Sequence, residues 1–477
     1  MIKILDNTLR EGEQSPGVFF TVEEKLELAK MLDEFGVDII EAGHPMVSAK
    51  IEEAVKLIKK QKLNAEIMGH ARPVRADIDK VIECETDWIG LIMPSSDLHL
   101  TDKLHMTREK AMDMVVDAID YCKAHGLKIR YTPEDATRSD FNYLLSCCKR
   151  AEEAGATRIS IADTVGIATP ESFFELVSKI RKEIKTPLNL HCHNDFGLAL
   201  ANALAGVRAG ATLVDASVNG LGERAGVVDL MELGPVLKIL TKQECRLKLE
   251  MIPAISKFVE KSSGIYMAAN KPITGENVFS HKGGMHTDGV IKNPKTYEAF
   301  EPGLIGRERK IVVDRYTGKL AARQRLEEYG ITVNDDELLS IVMEIKKQGD
   351  EYKFIHDTDI IAIAEKITGR KSVIIPKGID AVIFVSVESH TYTTSIVRKL
   401  SNFPGILDVF EVTGENDIGA YIQVKNTTEL NNVIEHIRTL PGVMTTNTHI
   451  VLKKYPGKNG SNGSKPDTTI TKARLLD

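Results

Sequence analysis

Ile2-Lys3-Ile4-Leu5, Thr21-Val22-Glu23-Glu24-Lys25-Leu26-Glu27-Leu28-Ala29-Lys30-Met31-Leu32 and Gly36-Val37-Asp38-Ile39-Ile40-Glu41 read in order as strand, helix and strand. Apolar residues recur at spacings of three and four between Val22 and Leu32, the period of an amphipathic helix. Thr21 is a natural N-cap, and Glu24 three residues on completes a capping box. Gly36 stands where a left-handed helix terminus is wanted, as do Gly126, Gly155 and Gly210 farther on. The unit recurs, with strand-like runs at Ile2–Leu5, Val37–Glu41, Glu66–His70, Trp88–Met93, Lys128–Thr132, Arg158–Asp163, Leu188–His193 and Thr212–Val218. Such alternation implies a parallel sheet, and eight repeats over residues 1–260 fit a TIM-type β/α barrel. A doubly wound open sheet fits less well, because no GxGxxG follows the first run.

Barrel active sites gather at the carboxyl ends of the strands. Polar residues stand there at seven of the eight runs: Arg10 and Glu11, Glu41, His70, Arg130 with Thr132 and Glu134, Asp163 with Thr164, His191 with His193, and Asn219 with Glu223 and Arg224. The fourth run, ending Met93-Pro94-Ser95-Ser96, reads as chemically inert. On a strand, residues i and i+2 share a face, so His191 and His193 point together. With Glu11 they form a candidate divalent-metal site with open positions. Arg10 and Arg130 are candidate carboxylate clamps, since a guanidinium makes two parallel hydrogen bonds to a carboxylate. For Arg130 an ion pair with Glu134 or Asp135 is the competing reading. His70 is a further candidate substrate contact. Two cations, a histidine and a metal suit a substrate with two carboxylates and a ketone.

The 477 residues carry a net charge of −6 with mixed signs, which argues against a nucleic-acid or anionic-membrane partner. No apolar run approaches a membrane span, and Met1-Ile2-Lys3-Ile4 leaves no room for a signal peptide, so a cytoplasmic protein is expected. The six cysteines lack CxxC spacing and sit among apolar residues, as reduced core thiols do. Residues 261–375 read as linker subdomains: Leu247–Gly264 as a helix leading in, Ala268–Gly303 as irregular, and residues 315–367 as helical with Asp335 opening one helix. The loop Ser280-His281-Lys282-Gly283-Gly284-Met285-His286 combines glycines suited to close ligand approach with histidines able to accept protons. A boundary is expected at Lys371–Gly378. Residues 376–456 follow a βαββαβ order, a ferredoxin-like domain. Residues 457–477 have linker composition and read as a mobile tail.

Three motifs, Asp6-x-Thr8-Leu9-Arg10-Glu11-Gly12-x-Gln14, His191-x-His193-Asn194-Asp195 and Gly220-Leu221-Gly222-Glu223-Arg224-Ala225-Gly226, together resemble the DRE-TIM metallolyases. That family comprises isopropylmalate, citramalate and homocitrate synthases and hydroxymethylglutaryl-CoA lyases, and the resemblance covers about residues 1–320. Arg10-Glu11-Gly12, His70 and Val227 favour the homocitrate synthase branch, whereas Glu41-Ala42-Gly43-His44-Pro45 is closer to the isopropylmalate type. The resemblance implies metal ligands Glu11, His191 and His193 for one divalent ion (Mg, Mn, Zn or Co). It implies a ketoacid held by Arg10, His70, Arg130, Thr132 and Thr164, with Gln14 orienting near the metal. His281, Glu134 and Tyr297 would form the proton-transfer group, His281 and Tyr297 coming from the partner subunit of a homodimer or larger homo-oligomer. The implied reaction condenses acetyl-CoA with 2-oxoglutarate at the start of lysine biosynthesis by the aminoadipate route. Isopropylmalate or citramalate synthesis is the alternative, and an amino-acid sensor with an inert barrel stands as a third reading. The C-terminal region resembles the Lrp/AsnC ligand-binding domain, an ACT-like unit, through Glu411-Val412-Thr413-Gly414-Glu415-Asn416-Asp417-Ile418 and Leu440-Pro441-Gly442-Val443. That implies an amino-acid effector, lysine being favoured.

Overall fold

Eight parallel strands close into a barrel in chain order in the computed structural model, which describes residues 1–351, 355, 357–370, 379–388, 392–401, 403–424 and 427–451. The strands are β1 (Lys3–Asp6), β2 (Ile39–Gly43), β3 (Glu66–Ala71), β4 (Trp88–Pro94), β5 (Lys128–Glu134), β6 (Arg158–Asp163), β7 (Leu188–Cys192) and β8 (Leu213–Ala216). Between them run α1 (Val22–Phe35), α2 (Ala49–Lys60), α3 (Arg75–Glu83), α4 (Arg108–Ala124), α5 (Phe141–Ala154), α6 (Pro170–Glu183) and α7 (Ala199–Arg208); α8 (Leu230–Pro235) follows β8. The capping box at Thr21 and Glu24 is formed, and Gly36 ends α1 at φ +100°, where a side chain is strained. Strand and helix residues interlock in one large apolar core, while Leu5, Ile39, Met68, Trp88 and Leu213 form a separate cluster. All six cysteines are buried and unpaired.

The chain divides into two compact units, Met1–His281 with Pro294–Lys310, and Lys282–Asn293 with Ile311–Asp477. The first adds α9 (Ile252–Ser263) to the barrel. Short strands β9 (Ser280–His281) and β10 (Lys310–Ile311) occur farther along. The second holds α10 (Gly284–Lys292), α11 (Lys319–Glu328), α12 (Asp335–Glu351) and α13 (Asp357–Thr368). Helix α10 corrects the expectation of irregular chain through Ala268–Gly303. Its Gly284, Gly289 and scattered apolar residues hide the period, and it forms by packing on α11. Leu326, Ile341, Ile345 and Ile360 are among the buried residues of the α11–α13 core.

The rest of the second unit is the expected βαββαβ fold: β11 (Ile379–Val387), α14 (Thr393–Leu400), β12 (Ile406–Glu411), β13 (Ile418–Val424), α15 (Thr427–Arg438) and β14 (Val443–Ile450). Its antiparallel sheet has the order β12-β13-β11-β14. Alternate residues Ala381, Ile383 and Val385 pack under Ile396, Leu400, Val433 and Ile437 of the two helices. The boundary expected at residues 371–378 and the tail lie outside the described residues. Among the described residues no helix is long and apolar enough to cross a membrane.

Candidate metal and carboxylate site

Strand register assembles the site. His70 pairs with Gly90 across β3 and β4, and Gly90 with Arg130 across β4 and β5. A methyl group on Gly90 would lie 3.3 Å from Arg130 Nη2 and 3.4 Å from Glu41 Oε1, so glycine makes room for that ion pair. Fully buried Glu41 is the hub: Oε2 accepts from Arg10 Nε at 2.9 Å and Nη2 at 2.8 Å, and Oε1 from Arg130 Nη2 at 3.0 Å and His70 Nδ1 at 2.9 Å. Burial opposes the charge on Glu41, but Arg10 and Arg130 hold its carboxyl well below the usual range. Burial, and then Arg10, pull His70 down to about 4, so its imidazole is neutral at pH 7.

Arg130 is 2% exposed and also donates from Nη1 to Asp215 Oδ2 at 2.8 Å. The expected alternative of a pair with Glu134 or Asp135 is not what forms. Four residues along a strand span about 13 Å, whereas Glu41 and Asp215 face Arg130 from other strands across the barrel interior. Asp215 Oδ2 also lies 3.0 Å from His191 Nδ1, which fixes that nitrogen as an N–H and turns Nε2 toward His193. Neither Asp215 nor Lys103, described below, was singled out in the sequence.

The loop after β1 brings Glu11 to the histidines. His191 Nε2 and His193 Nε2 are 3.3 Å apart, His193 Nε2 is 3.9 Å from Glu11 Oε1, and ligand atoms of all three lie within 4.8 Å of one another. Burial works against the charge on Glu11, yet Arg10, His191 and His193 bring its carboxyl down to about 2. Burial and then His191 lower His193 to about 4. Two imidazoles and a carboxylate suit a divalent cation and leave coordination positions for a ligand. Arg10 Nη1 also pairs with Glu11 and lies 3.2 Å from Gln14 Oε1. From below, the buried Lys25 of α1 anchors the loop, its Nζ meeting Leu9 O at 3.2 Å and Glu13 Oε2 at 2.6 Å.

A cavity of about 320 Å3 brings together Arg10, Glu11, Gln14, His70, Arg130, Thr132, Glu134, Thr164, His191 and His193. Arg130 Nε, Thr132 Oγ1 and His193 Nδ1 are buried in its walls without a partner among the described residues. Thr164 Oγ1 accepts from Asp135 N–H at 2.8 Å. His281 and Tyr297 do not line this cavity. His281 is buried with Nε2 3.0 Å from Glu298 Oε1, Glu298 is gripped by Arg309 at 2.7 Å, and Tyr297 is half-exposed. Two rim candidates serve the scaffold instead. Asp163 accepts from Thr137 Oγ1 and the amides of Ile167 and Ala168, and Asn219 bonds Ser256.

Comparison with known proteins finds three family models that match successive parts of the chain. The HMGL-like family model matches residues 1–259, the homocitrate synthase post-HMGL domain-like model residues 273–353, and the Lrp/AsnC ligand binding domain residues 380–459. A homocitrate synthase of Sulfurisphaera tokodaii is 45% identical over 461 residues, 95% of this chain and 99% of its own length. One from Saccharolobus islandicus is 46% identical over 462 residues, 95% of this chain and all of its own. Among solved structures, the HMG-CoA lyase of Bacillus subtilis shares the fold with a TM-score of 0.51 at 20% identity, over 55% of this chain and 94% of that one.

Proposed function

Because this chain belongs to the homocitrate synthase family of HMGL-like enzymes, we propose that it condenses acetyl-CoA with 2-oxoglutarate to homocitrate, water releasing CoA. The observation that carries this reading is the meeting of Arg10, His70 and Arg130 beside the Glu11, His191 and His193 triad in one cavity. A divalent cation held by that triad would supply Lewis acidity toward the ketone oxygen. The protein's own charges support such a requirement. Buried Glu41 and Asp215 already match the two arginines, so a dicarboxylate meets little surplus positive charge without the ion.

Arg10 sits between hub and triad, where it orients the ketoacid and stabilises developing oxyanion charge. Thr132, Thr164 and Arg130 offer hydrogen bonds to the remote carboxylate, His70 contacts the ketoacid beside them with its Nδ1–H given to Glu41, and Gln14 orients the reacting end. Glu134, with His281 and Tyr297 of a second copy in a homodimer, moves the methyl proton of acetyl-CoA. The C-terminal domain senses an amino acid, lysine being the favoured effector for the first step of the aminoadipate route in the cytoplasm.

Thiol release from acetyl-CoA with 2-oxoglutarate, 2-oxoisovalerate and pyruvate tests the substrate. The highest kcat/KM is expected with 2-oxoglutarate; the lowest of the three there sinks the assignment in favour of isopropylmalate or citramalate synthesis. His193→Ala is expected to lose bound metal and turnover together. A fully active, metal-depleted variant refutes the ligand set.

A further inference from the structure

The loop after β4, inert in the sequence reading, delivers a cation to the site. Past Pro94 the chain makes a π-helical turn over His99–Lys103, closed by Leu104 N–H on His99 O at 3.1 Å. Such turns re-aim side chains and recur at functional sites. Lys103 emerges in the cavity that holds the Glu11, His191 and His193 triad, and its Nζ donates to both Glu134 oxygens, at 2.9 and 3.1 Å. From the same turn, His99 Nδ1 lies 3.8 Å from Glu134 Oε1 and His99 Nε2 lies 3.8 Å from Asp135 Oδ2. Among the described residues no other side chain hydrogen-bonds the Glu134 carboxylate, so its orientation rests on Lys103.

We propose that Lys103 is a positioning residue, holding the Glu134 carboxylate in the cavity so that it is aimed at the proton to be moved. This rests on the condensation reading. Exposed ion pairs add little to stability, and Lys103 is half-exposed, so a fold-stabilising role is small. The geometric role is not small. Glu134 is at the last position of β5, and both its carboxylate oxygens are taken by one ammonium rather than by the barrel wall. Well-placed acid–base groups contribute about 10²–10⁴-fold to rate, which loss of orientation forfeits in part.

Lys103→Met and Lys103→Arg in the full-length, metal-loaded enzyme test this, after wild-type thiol release with 2-oxoglutarate is measured. Lys103→Met is expected to lower kcat at least about tenfold. The KM for 2-oxoglutarate and the metal affinity should stay within about twofold, below the tenfold that one lost interaction brings. The deuterium isotope effect with methyl-deuterated acetyl-CoA should rise, because proton removal becomes slower than the later steps. Lys103→Arg should recover most of kcat by restoring a cation at similar reach. An unchanged kcat or isotope effect in Lys103→Met, a matching loss of ketoacid binding, or no recovery in Lys103→Arg overturns the role while leaving the condensation reading intact. A wild type that condenses no ketoacid overturns both.

Discussion

Replacing Asp215 with Asn keeps the shape of a residue that is 1% exposed and removes its charge. The carboxylate serves two donors through one oxygen, Arg130 Nη1 at 2.8 Å and His191 Nδ1 at 3.0 Å. Breaking one member of a buried ion pair costs about 3–5 kcal/mol, and the low end applies because Arg130 keeps Glu41. The second effect is on the imidazole. An amide can donate to Nδ1, which moves the ring proton to Nε2 and removes the lone pair facing Glu11 and His193. Losing an outer carboxylate of this kind weakens metal binding about 10–100-fold, or about 1.4–2.7 kcal/mol. Urea unfolding of metal-free protein should show a loss of about 3 kcal/mol, and calorimetric titration with Mn2+ or Zn2+ the weaker binding. Metal affinity within about threefold of wild type would refute Asp215 as the residue that sets the His191 tautomer. Unchanged stability would refute its pairing with Arg130.

Gly90→Ala should cost about 1–3 kcal/mol and lower kcat/KM for the ketoacid, since the new methyl meets Arg130 Nη2 and Met68 Sδ at 3.3 Å; an unchanged melting temperature and activity would contradict the crowding. His70 falls from its ordinary 6.5 to about 4, so its neutral form stabilises the fold fully above pH 6.5 and that contribution fades as pH drops to about 4. It amounts to about 3 kcal/mol, and a pH series of urea midpoints should flatten across that window in His70→Asn; parallel wild-type and variant curves would remove the assignment. Truncation before Ile379 should spare condensation and change amino-acid sensitivity. An unaltered inhibition profile would place the effector in the barrel.

The barrel was legible because strand and helix periods differ, and because helix ends carry local signals such as Thr21, Glu24 and Gly36 that need no tertiary context. The rim was legible where polarity breaks an apolar run at its end, as at His70 and at His191 with His193. Lys103 lay beyond that rule, since it stands nine positions past Pro94 at the end of a π-helical turn. Asp215 lay inside its strand rather than at the end, yet a signal was present. Leu213 belongs to the cluster with Leu5, Ile39, Met68 and Trp88, whereas Val214 belongs to the large strand–helix core. Counting by two from Leu213 puts Asp215 on Leu213's side of the sheet.

What the arginines face was the less legible part of the site. Sequence gives the identity of a side chain but not its partner across a barrel, so Arg10 and Arg130 read as candidate clamps, with a pair to Glu134 or Asp135 as the competing reading for Arg130. In the structure each is already held by buried acids, and those acids are held by more than one donor. A guanidinium confined this way has surrendered its rotamer freedom on folding, so a ligand that meets it does not have to order it again. The same pairing cancels the charge that would draw an anion in. The Glu41 and Asp215 network would therefore supply direction and leave attraction to a cation held by the Glu11, His191 and His193 triad. In the Glu–Arg–His arrangement of this barrel, ketoacid affinity should accordingly depend on the metal, while ketoacid orientation depends on the arginines.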